Sequence, residues 1–100
     1  MFKLLYANEV GRDLQAIYDY IAQDSPERAS QYIGKIENSV LRLRDFPNIG
    51  HNSSYDELNA LGVRILPFDD YLIFYIVKEK DETVYIVRVL HGSVDYKHLF

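Results

Sequence analysis

The chain has 100 residues, of which 48% are hydrophobic and 26% are charged, a size and composition typical of one globular domain. It contains no cysteine, which excludes disulfide frameworks and thiolate metal sites. Eleven Lys and Arg against fifteen Asp and Glu give a net charge of −4, which argues against general nucleic-acid binding because phosphate affinity requires a basic surface.

The N-terminal residues 2–6 form a short apolar run that predicts a first β-strand. This start lacks the long apolar stretch of a signal peptide. The longest apolar run, Tyr71 to Val77, is too short to cross a membrane. We therefore expect a cytoplasmic protein with no membrane partner.

Two amphipathic helices are predicted next, at about residues 9–23 and 26–45, because apolar residues recur there at helical spacing. Asn8 is the predicted N-cap of the first helix. Ser25 is the predicted cap of the second, with Pro26 at its first position. The short connection predicts that the two helices pack as an antiparallel hairpin.

The C-terminal half predicts a three-stranded antiparallel meander, joined by short polar hairpin connections. Its β-rich runs are Val63 to Phe68, Tyr71 to Val77 and Thr83 to Leu90. Residues 51–62 are polar and expected to be irregular, with room for one helical turn between Tyr55 and Leu61. The whole chain, residues 1–100, is thus predicted as a single α+β domain: an N-terminal strand, a helix hairpin and a meander.

The predicted core joins the apolar stripes of both helices to the central strands. Its members are Leu14, Ile17, Ile21, Ile33, Ile36, Val40, Ile73, Tyr75 and Ile86. The second and third β-rich runs are apolar on both faces, whereas one helix pair covers only one face. We therefore expect an uncovered apolar sheet face that is left for a partner, and an isolated chain that is poorly soluble or oligomeric.

Several motifs across nearly the whole chain are weak singly but fairly specific in their order and spacing. In the N-terminal half they are Asp13-Leu14, Ile17, Tyr20-Ile21, Ser25-Pro26, Ala29, Tyr32, Leu43, Phe46-Pro47 and Gly50. In the C-terminal half they are Gly62-Val63-Arg64, Tyr71 to Tyr75 and Val84 to Gly92. Together they resemble the RelE/ParE toxin superfamily, and its ParE branch more than its RelE branch.

The resemblance implies a toxin that is held inactive by a cognate antitoxin. ParE members of the superfamily act on DNA gyrase and trap it on DNA, whereas RelE members cut messenger RNA on the ribosome. The uncovered sheet face is the expected antitoxin surface, through an amphipathic segment laid on it or a strand added to the sheet edge.

Three residues are the candidates for ribonuclease chemistry, which needs acid–base groups and cations for the phosphate: Arg64, Arg88 and His91. We favour structural roles for all three. Arg88 is expected to pair with Asp95 or Glu57, Arg64 to form an ion pair or contact that anchors its strand, and His91 to hold a turn. The set is incomplete, so no catalytic residue is assigned and the interpretation leans against an enzyme.

The candidate contacts to a target or antitoxin are Arg64, Arg88, His91, Tyr96 and Lys97. No cofactor or metal is expected, because the three histidines lack ligand spacing and no glycine-rich phosphate loop is present. The favoured function is a ParE-like gyrase inhibitor neutralised by an antitoxin. The alternatives are a RelE-like endonuclease, with the ribosome and messenger RNA as partners, and a non-toxic interaction module of the same fold.

Overall fold

The computed structural model describes residues 1–100 and contains one five-stranded sheet with two long helices. The elements in chain order are β1 (Lys3–Tyr6), α1 (Asn8–Ala22), α2 (Pro26–Leu41), β2 (His51–Asn52), α3 (Asp56–Ala60), β3 (Val63–Phe68), β4 (Tyr71–Lys78) and β5 (Thr83–His91). Short 3₁₀ turns lie at Arg42–Arg44, Glu79–Asp81 and Tyr96–Leu99. None of the helices combines the length and apolarity that a membrane crossing requires.

The strand order in the sheet is β1-β5-β4-β3-β2. The β3–β4–β5 meander is antiparallel, as predicted. β1 pairs in parallel with β5, from Lys3 opposite Thr83 to Tyr6 opposite Ile86. The α+β fold is therefore confirmed, with a mixed sheet in which the two ends of the chain lie side by side.

The helix hairpin begins within one residue of the predicted positions. The Ser25 hydroxyl accepts a hydrogen bond from the Arg28 amide at 3.2 Å, which confirms the predicted cap. The prediction for Asn8 is wrong: Asn8 is the first helical residue, and Ala7 precedes it without a side-chain cap. The second helix ends at Leu41 and continues as a 3₁₀ turn, so its C-terminal boundary was placed too late.

The face of the sheet that the helix hairpin covers holds the larger core. All nine predicted core residues lie in this cluster or pack against it. Six of them are buried, and Leu14, Ile21 and Ile33 pack against the cluster while partly exposed. The predicted core is confirmed.

The opposite face of the sheet is covered by the chain itself, so the expectation of an uncovered apolar face is wrong. Leu58 of α3 is buried there together with Phe74 of β4. The rings of Tyr96 and Phe100 lie 4.9 Å and 5.1 Å from the Phe74 ring, measured between centroids. Two short segments with few apolar residues thus supply the cover that we had expected a partner to provide.

Candidate functional site

Arg88 forms a bidentate ion pair with Asp13 of α1. Its Nε and one terminal nitrogen donate to the two carboxylate oxygens at 2.9 Å and 2.8 Å. The Val89 amide donates to the same carboxylate at 3.0 Å, and the Asp13 side chain is only 9% exposed. The bond to Asp13 raises the pKa of Arg88 despite partial burial, so the guanidinium is fixed as a cation that ties β5 to α1.

The structural role expected for Arg88 agrees with this geometry, but the expected partners, Asp95 and Glu57, do not contact it. Asp13 was recognised only as part of a motif. Its position carried a usable signal, since it stands three residues after Val10 and four before Ile17, on the buried stripe of α1. A carboxylate on a buried helix stripe requires a partner, and Arg88 on the facing strand supplies it.

Arg64 holds the loop that leads into β2, rather than forming an ion pair. Its terminal nitrogens donate to the backbone oxygen of Asn48 at 3.0 Å, to that of Gly50, and to the Asn52 side chain at 3.4 Å. The Gly50 amide donates to the buried Tyr75 hydroxyl at 2.9 Å. The strand-anchoring contact expected of Arg64 is therefore made through carbonyl oxygens.

The loop that Arg64 holds has no room for a side chain at Gly50. A Cβ atom there would lie 2.6 Å from both the Ile65 carbonyl oxygen and the Tyr75 hydroxyl. The glycine is thus required by the close approach of the loop to β3 and β4.

His91 lies at the exposed end of β5 and holds the following turn. Its Nδ1 accepts from the Ser93 amide at 3.1 Å and lies 2.7 Å from the Ser93 hydroxyl. Its ring packs against the edge of Tyr71, with centroids 5.3 Å apart. These contacts agree with the turn-holding role expected for His91 from the sequence.

Tyr96 and Lys97 belong to the segment that covers the second sheet face. The Tyr96 ring packs between Phe74 and Tyr55, at centroid distances of 4.9 Å and 5.5 Å. Lys97 lies 5.4 Å from the Tyr55 ring centroid and 3.6 Å from Glu57. Tyr96 is therefore mainly a packing residue, whereas Lys97 keeps an exposed ammonium group.

The fold keeps the three ribonuclease candidates apart. Arg64 lies on β3, opposite Tyr75 of β4, whereas His91 on β5 lies opposite Tyr71. Four residues of strand separate these two rows, roughly 13 Å along the sheet. Arg88 lies between the rows but is engaged by Asp13. The three side chains do not converge on one position, and no group of His, Asp or Glu is arranged to hold a metal ion.

A surface cleft lies where the helix hairpin meets the turn between β3 and β4. It has a volume of about 490 Å³. Its lining is aromatic and acidic: Tyr20, Ile21, Tyr32, Asp69, Asp70, Tyr71 and His91. Of these residues, only His91 was a candidate from the sequence, because tyrosines from three separate segments come together only in the fold.

The cleft is organised by a hydrogen bond from the Tyr32 hydroxyl to Asp69, 2.8 Å long. Asp69 adopts φ 52°, a left-handed conformation that Asp tolerates better than most residues and that the tight turn imposes. Burial and then the bond to Asp69 raise the pKa of Tyr32, so this hydroxyl remains a donor. The Asp70 carbonyl accepts from the Gly92 amide at 2.8 Å, which fixes the turn against the end of β5.

A second concave surface lies along the free edge of β1. This groove has a volume of about 580 Å³ and is bordered by residues 1–6, Leu41 and Arg44. Leu5 and Tyr6 are about half exposed there, and Leu41 somewhat less. β1 pairs only with β5, so its other edge carries backbone groups without a strand partner.

Comparison with known protein families gives a match to the ParE toxin of the type II toxin–antitoxin system parDE, over residues 4–96. No curated protein sequence matches the chain significantly.

Two solved structures are similar to the chain over most of its length. One is from the chromosomal ParDE toxin–antitoxin system of P. aeruginosa, with 26% identity, 91% of this chain and 96% of the other covered, and a TM-score of 0.74. The other is from the RelBE2 toxin–antitoxin complex of Mycobacterium tuberculosis, with 19% identity, 90% and 96% covered, and a TM-score of 0.62. The second likeness is one of fold alone.

Proposed function

We propose that this chain, which belongs to the ParE toxin family of type II toxin–antitoxin systems, inhibits DNA gyrase and is neutralised by a cognate antitoxin. The choice of gyrase over messenger RNA as the target rests on the contacts that the two arginines already make within the chain. Arg88 is bound by Asp13, and Arg64 is bound by backbone carbonyls.

An RNA-cutting toxin needs cations that are free to meet the phosphate charge of the transition state. Freeing Arg88 would leave the Asp13 carboxylate, which is 9% exposed, without its cation. Freeing Arg64 would leave the carbonyl oxygens of Asn48 and Gly50 without their donor. Both side chains therefore serve the fold, and the net charge of −4 further opposes approach to RNA.

A gyrase inhibitor has no such requirement. It needs only to bind the protein part of the gyrase–DNA complex and hold one conformation, which an acidic surface permits. Target binding then depends on shape and side-chain contacts rather than on phosphate neutralisation.

The antitoxin is proposed to bind at the free edge of β1. Because the second sheet face is covered by Leu58 and Tyr96, it is no longer the surface expected to receive a partner. The β1 edge offers unpaired backbone groups next to an apolar groove with Leu5 and Leu41 exposed. An extended antitoxin segment that adds a strand there would satisfy the backbone groups and bury these side chains.

The target is tested by inducing the toxin in bacteria without its antitoxin and following DNA damage and protein synthesis separately. We expect blocked replication, elongated cells and an induced DNA-damage response, while translation continues at first. The His91→Ala variant should remain toxic, since the proposed action on gyrase needs no acid–base group at this position. Collapse of amino-acid incorporation within minutes, with gyrase unaffected, would replace this proposal with ribosome-dependent cleavage of messenger RNA.

The antitoxin surface is tested with Leu5→Asp, which places a charge beside the β1 edge. Binding of the small protein encoded beside the toxin should weaken by at least tenfold, equivalent to about 1.4 kcal/mol. Leu61→Asp is the matched control, since Leu61 is also exposed but lies after α3. Equal effects of the two variants would show that the edge is not the binding surface.

A further inference from the structure

We propose that the cleft formed by Tyr20, Tyr32, Asp69, Asp70 and Tyr71 binds the guanidinium group of an arginine side chain carried by an extended segment of a partner protein. This inference is independent of the proposed action on gyrase. It rests on the charge of the cleft, on its aromatic walls, and on the furrow into which it opens.

The cleft is lined by two aspartates, and its only basic side chain is the imidazole of His91. Asp69 and Asp70 form no ion pair within the chain, and no Lys or Arg lines the cleft. One Asp69 oxygen accepts the Tyr32 hydroxyl, whereas the other and both oxygens of Asp70 have no side-chain donor. Three carboxylate oxygens are therefore available to a ligand that carries several N–H donors.

The walls of the cleft are aromatic rings. The Tyr32 and Tyr71 rings lie edge to face with centroids 6.0 Å apart, and Tyr20 is 72% exposed at the rim. The face of a tyrosine ring attracts a cation within about 6 Å. Burial raises the pKa of Tyr71 most, and Tyr20 and the two aspartates raise it further. The aspartates are the part of these surroundings that would favour a bound cation.

A guanidinium fits these features better than an ammonium or a metal ion. Its planar, weakly hydrated group stacks on aromatic rings and donates to carboxylates through several N–H groups at once. A lysine ammonium is compact and strongly hydrated, so it loses more on entering an aromatic cleft. The chain has no group of three or more His, Asp or Glu side chains arranged to hold a metal ion, and two carboxylates alone do not make a metal site.

The cleft is the middle part of a longer furrow, which is why the ligand is assigned to a polypeptide rather than to free arginine. At one end it shares Tyr20 and Ile21 with a cleft bordered by Asp24 and Arg28. At the other it shares Tyr71 and His91 with a cleft that reaches Asp13. An extended segment would place an arginine in the centre and neighbouring side chains on either side.

The test uses the full chain, labelled with ¹⁵N and titrated with N-acetyl-arginine methylamide. The amide signals of Tyr20, Asp70 and Tyr71 should shift and saturate in the millimolar range. The citrulline analogue, which is nearly the same shape but neutral, should bind at least about tenfold more weakly. The lysine analogue should also bind several-fold more weakly.

The variants Asp70→Asn and Tyr20→Ala, both at exposed positions, should each weaken binding of the arginine analogue by several-fold. The control is Asp81→Asn, which removes a carboxylate from the turn between β4 and β5 and should leave binding unchanged. The proposal is overturned by shifts that do not saturate, by equal binding of the citrulline or lysine analogue, or by an equal effect of Asp81→Asn.

Discussion

The two faces of the sheet are covered by different kinds of structure. The helix-covered face is closed by α1 and α2, two consecutive helices whose apolar stripes match the strands beneath them. The opposite face is closed by α3, of five residues, and by a 3₁₀ turn at the C-terminus. A long periodic element buries its face through many side chains, whereas a short one depends on one or two anchors, here Leu58 and Tyr96.

The largest expected effect comes from removing a buried side chain from the helix-covered face, and the same change on the opposite face is the comparison. Ile73→Ala, on the helix-covered face, should lower the free energy of unfolding by about 4 kcal/mol. Leu58→Ala should lower it by about 2 kcal/mol, because short α3 can move inward and reduce the cavity. Both residues are at most 2% exposed, so urea denaturation compares the faces directly. Equal losses of unfolding free energy in the two variants would show that the two faces are equally tolerant of a cavity.

The ion pair between α1 and β5 should come next. Asp13→Ala should destabilise the chain by about 3 kcal/mol, because it leaves a partly buried guanidinium and the Val89 amide without their acceptor. Arg88→Ala should lose a similar ~3 kcal/mol, because it leaves the 9% exposed Asp13 carboxylate without its cation. Asp95→Ala is the control and should be nearly neutral. A loss at Asp95 as large as that at Asp13 would argue for the partner first expected from the sequence.

Removing residues 96–100, which cover the second sheet face, should have a smaller effect on stability but should make the chain self-associate. A chain that ends at Asp95 lacks the rings that pack on Phe74, so it should lose about 2 kcal/mol and begin to self-associate. Urea denaturation and light scattering measure the two effects, with Leu99→Ala in the full chain as the control. A truncated monomer of unchanged stability would show that the segment does not protect this face.

The smallest effect is expected from the exposed ion pair of Lys97 with Glu57. The pKa of Glu57 is lowered first by its own backbone amide and then by Lys97. A lowered carboxyl pKa stabilises the fold above the unfolded-state pKa, and this contribution is lost as the pH falls through the folded-state value. Because the Glu57 side chain is largely exposed, Lys97→Ala should barely change Tm at pH 7 in moderate salt. A clear drop in Tm would mean that the pair anchors the C-terminal segment.

The difference between long and short covering elements also explains which parts of the fold could be predicted from the sequence. Helical periodicity and β-rich runs are local signals, so both long helices followed from the first, and the core residues on the helices and on the central strands followed from the two together. The cover of the second face comes from residues 55–58 and 96–100, which are too short for a periodic pattern and meet only after folding. The parallel pairing of β1 with β5 is equally non-local and was not predicted.

The contacts of the candidate site residues were likewise hard to predict, because they form between segments that meet only after folding. Arg64 and His91 were candidates from the sequence, but their contacts depend on which loops lie next to them in the fold. Arg88 pairs with Asp13, at the opposite end of the chain, whereas the sequence suggested acidic residues nearer to it. The cleft around Tyr32 and Asp69 arises where α2 meets a hairpin turn, a contact that no single motif records.

The most direct test of the central claim adds the purified protein to DNA gyrase and follows plasmid supercoiling and cleavage. We expect inhibition of supercoiling or gyrase-dependent cleavage of the plasmid, relieved by the antitoxin. Unaffected gyrase, together with cleavage of messenger RNA when the same protein is added to translating ribosomes, would contradict the account and assign the chain a RelE-like activity.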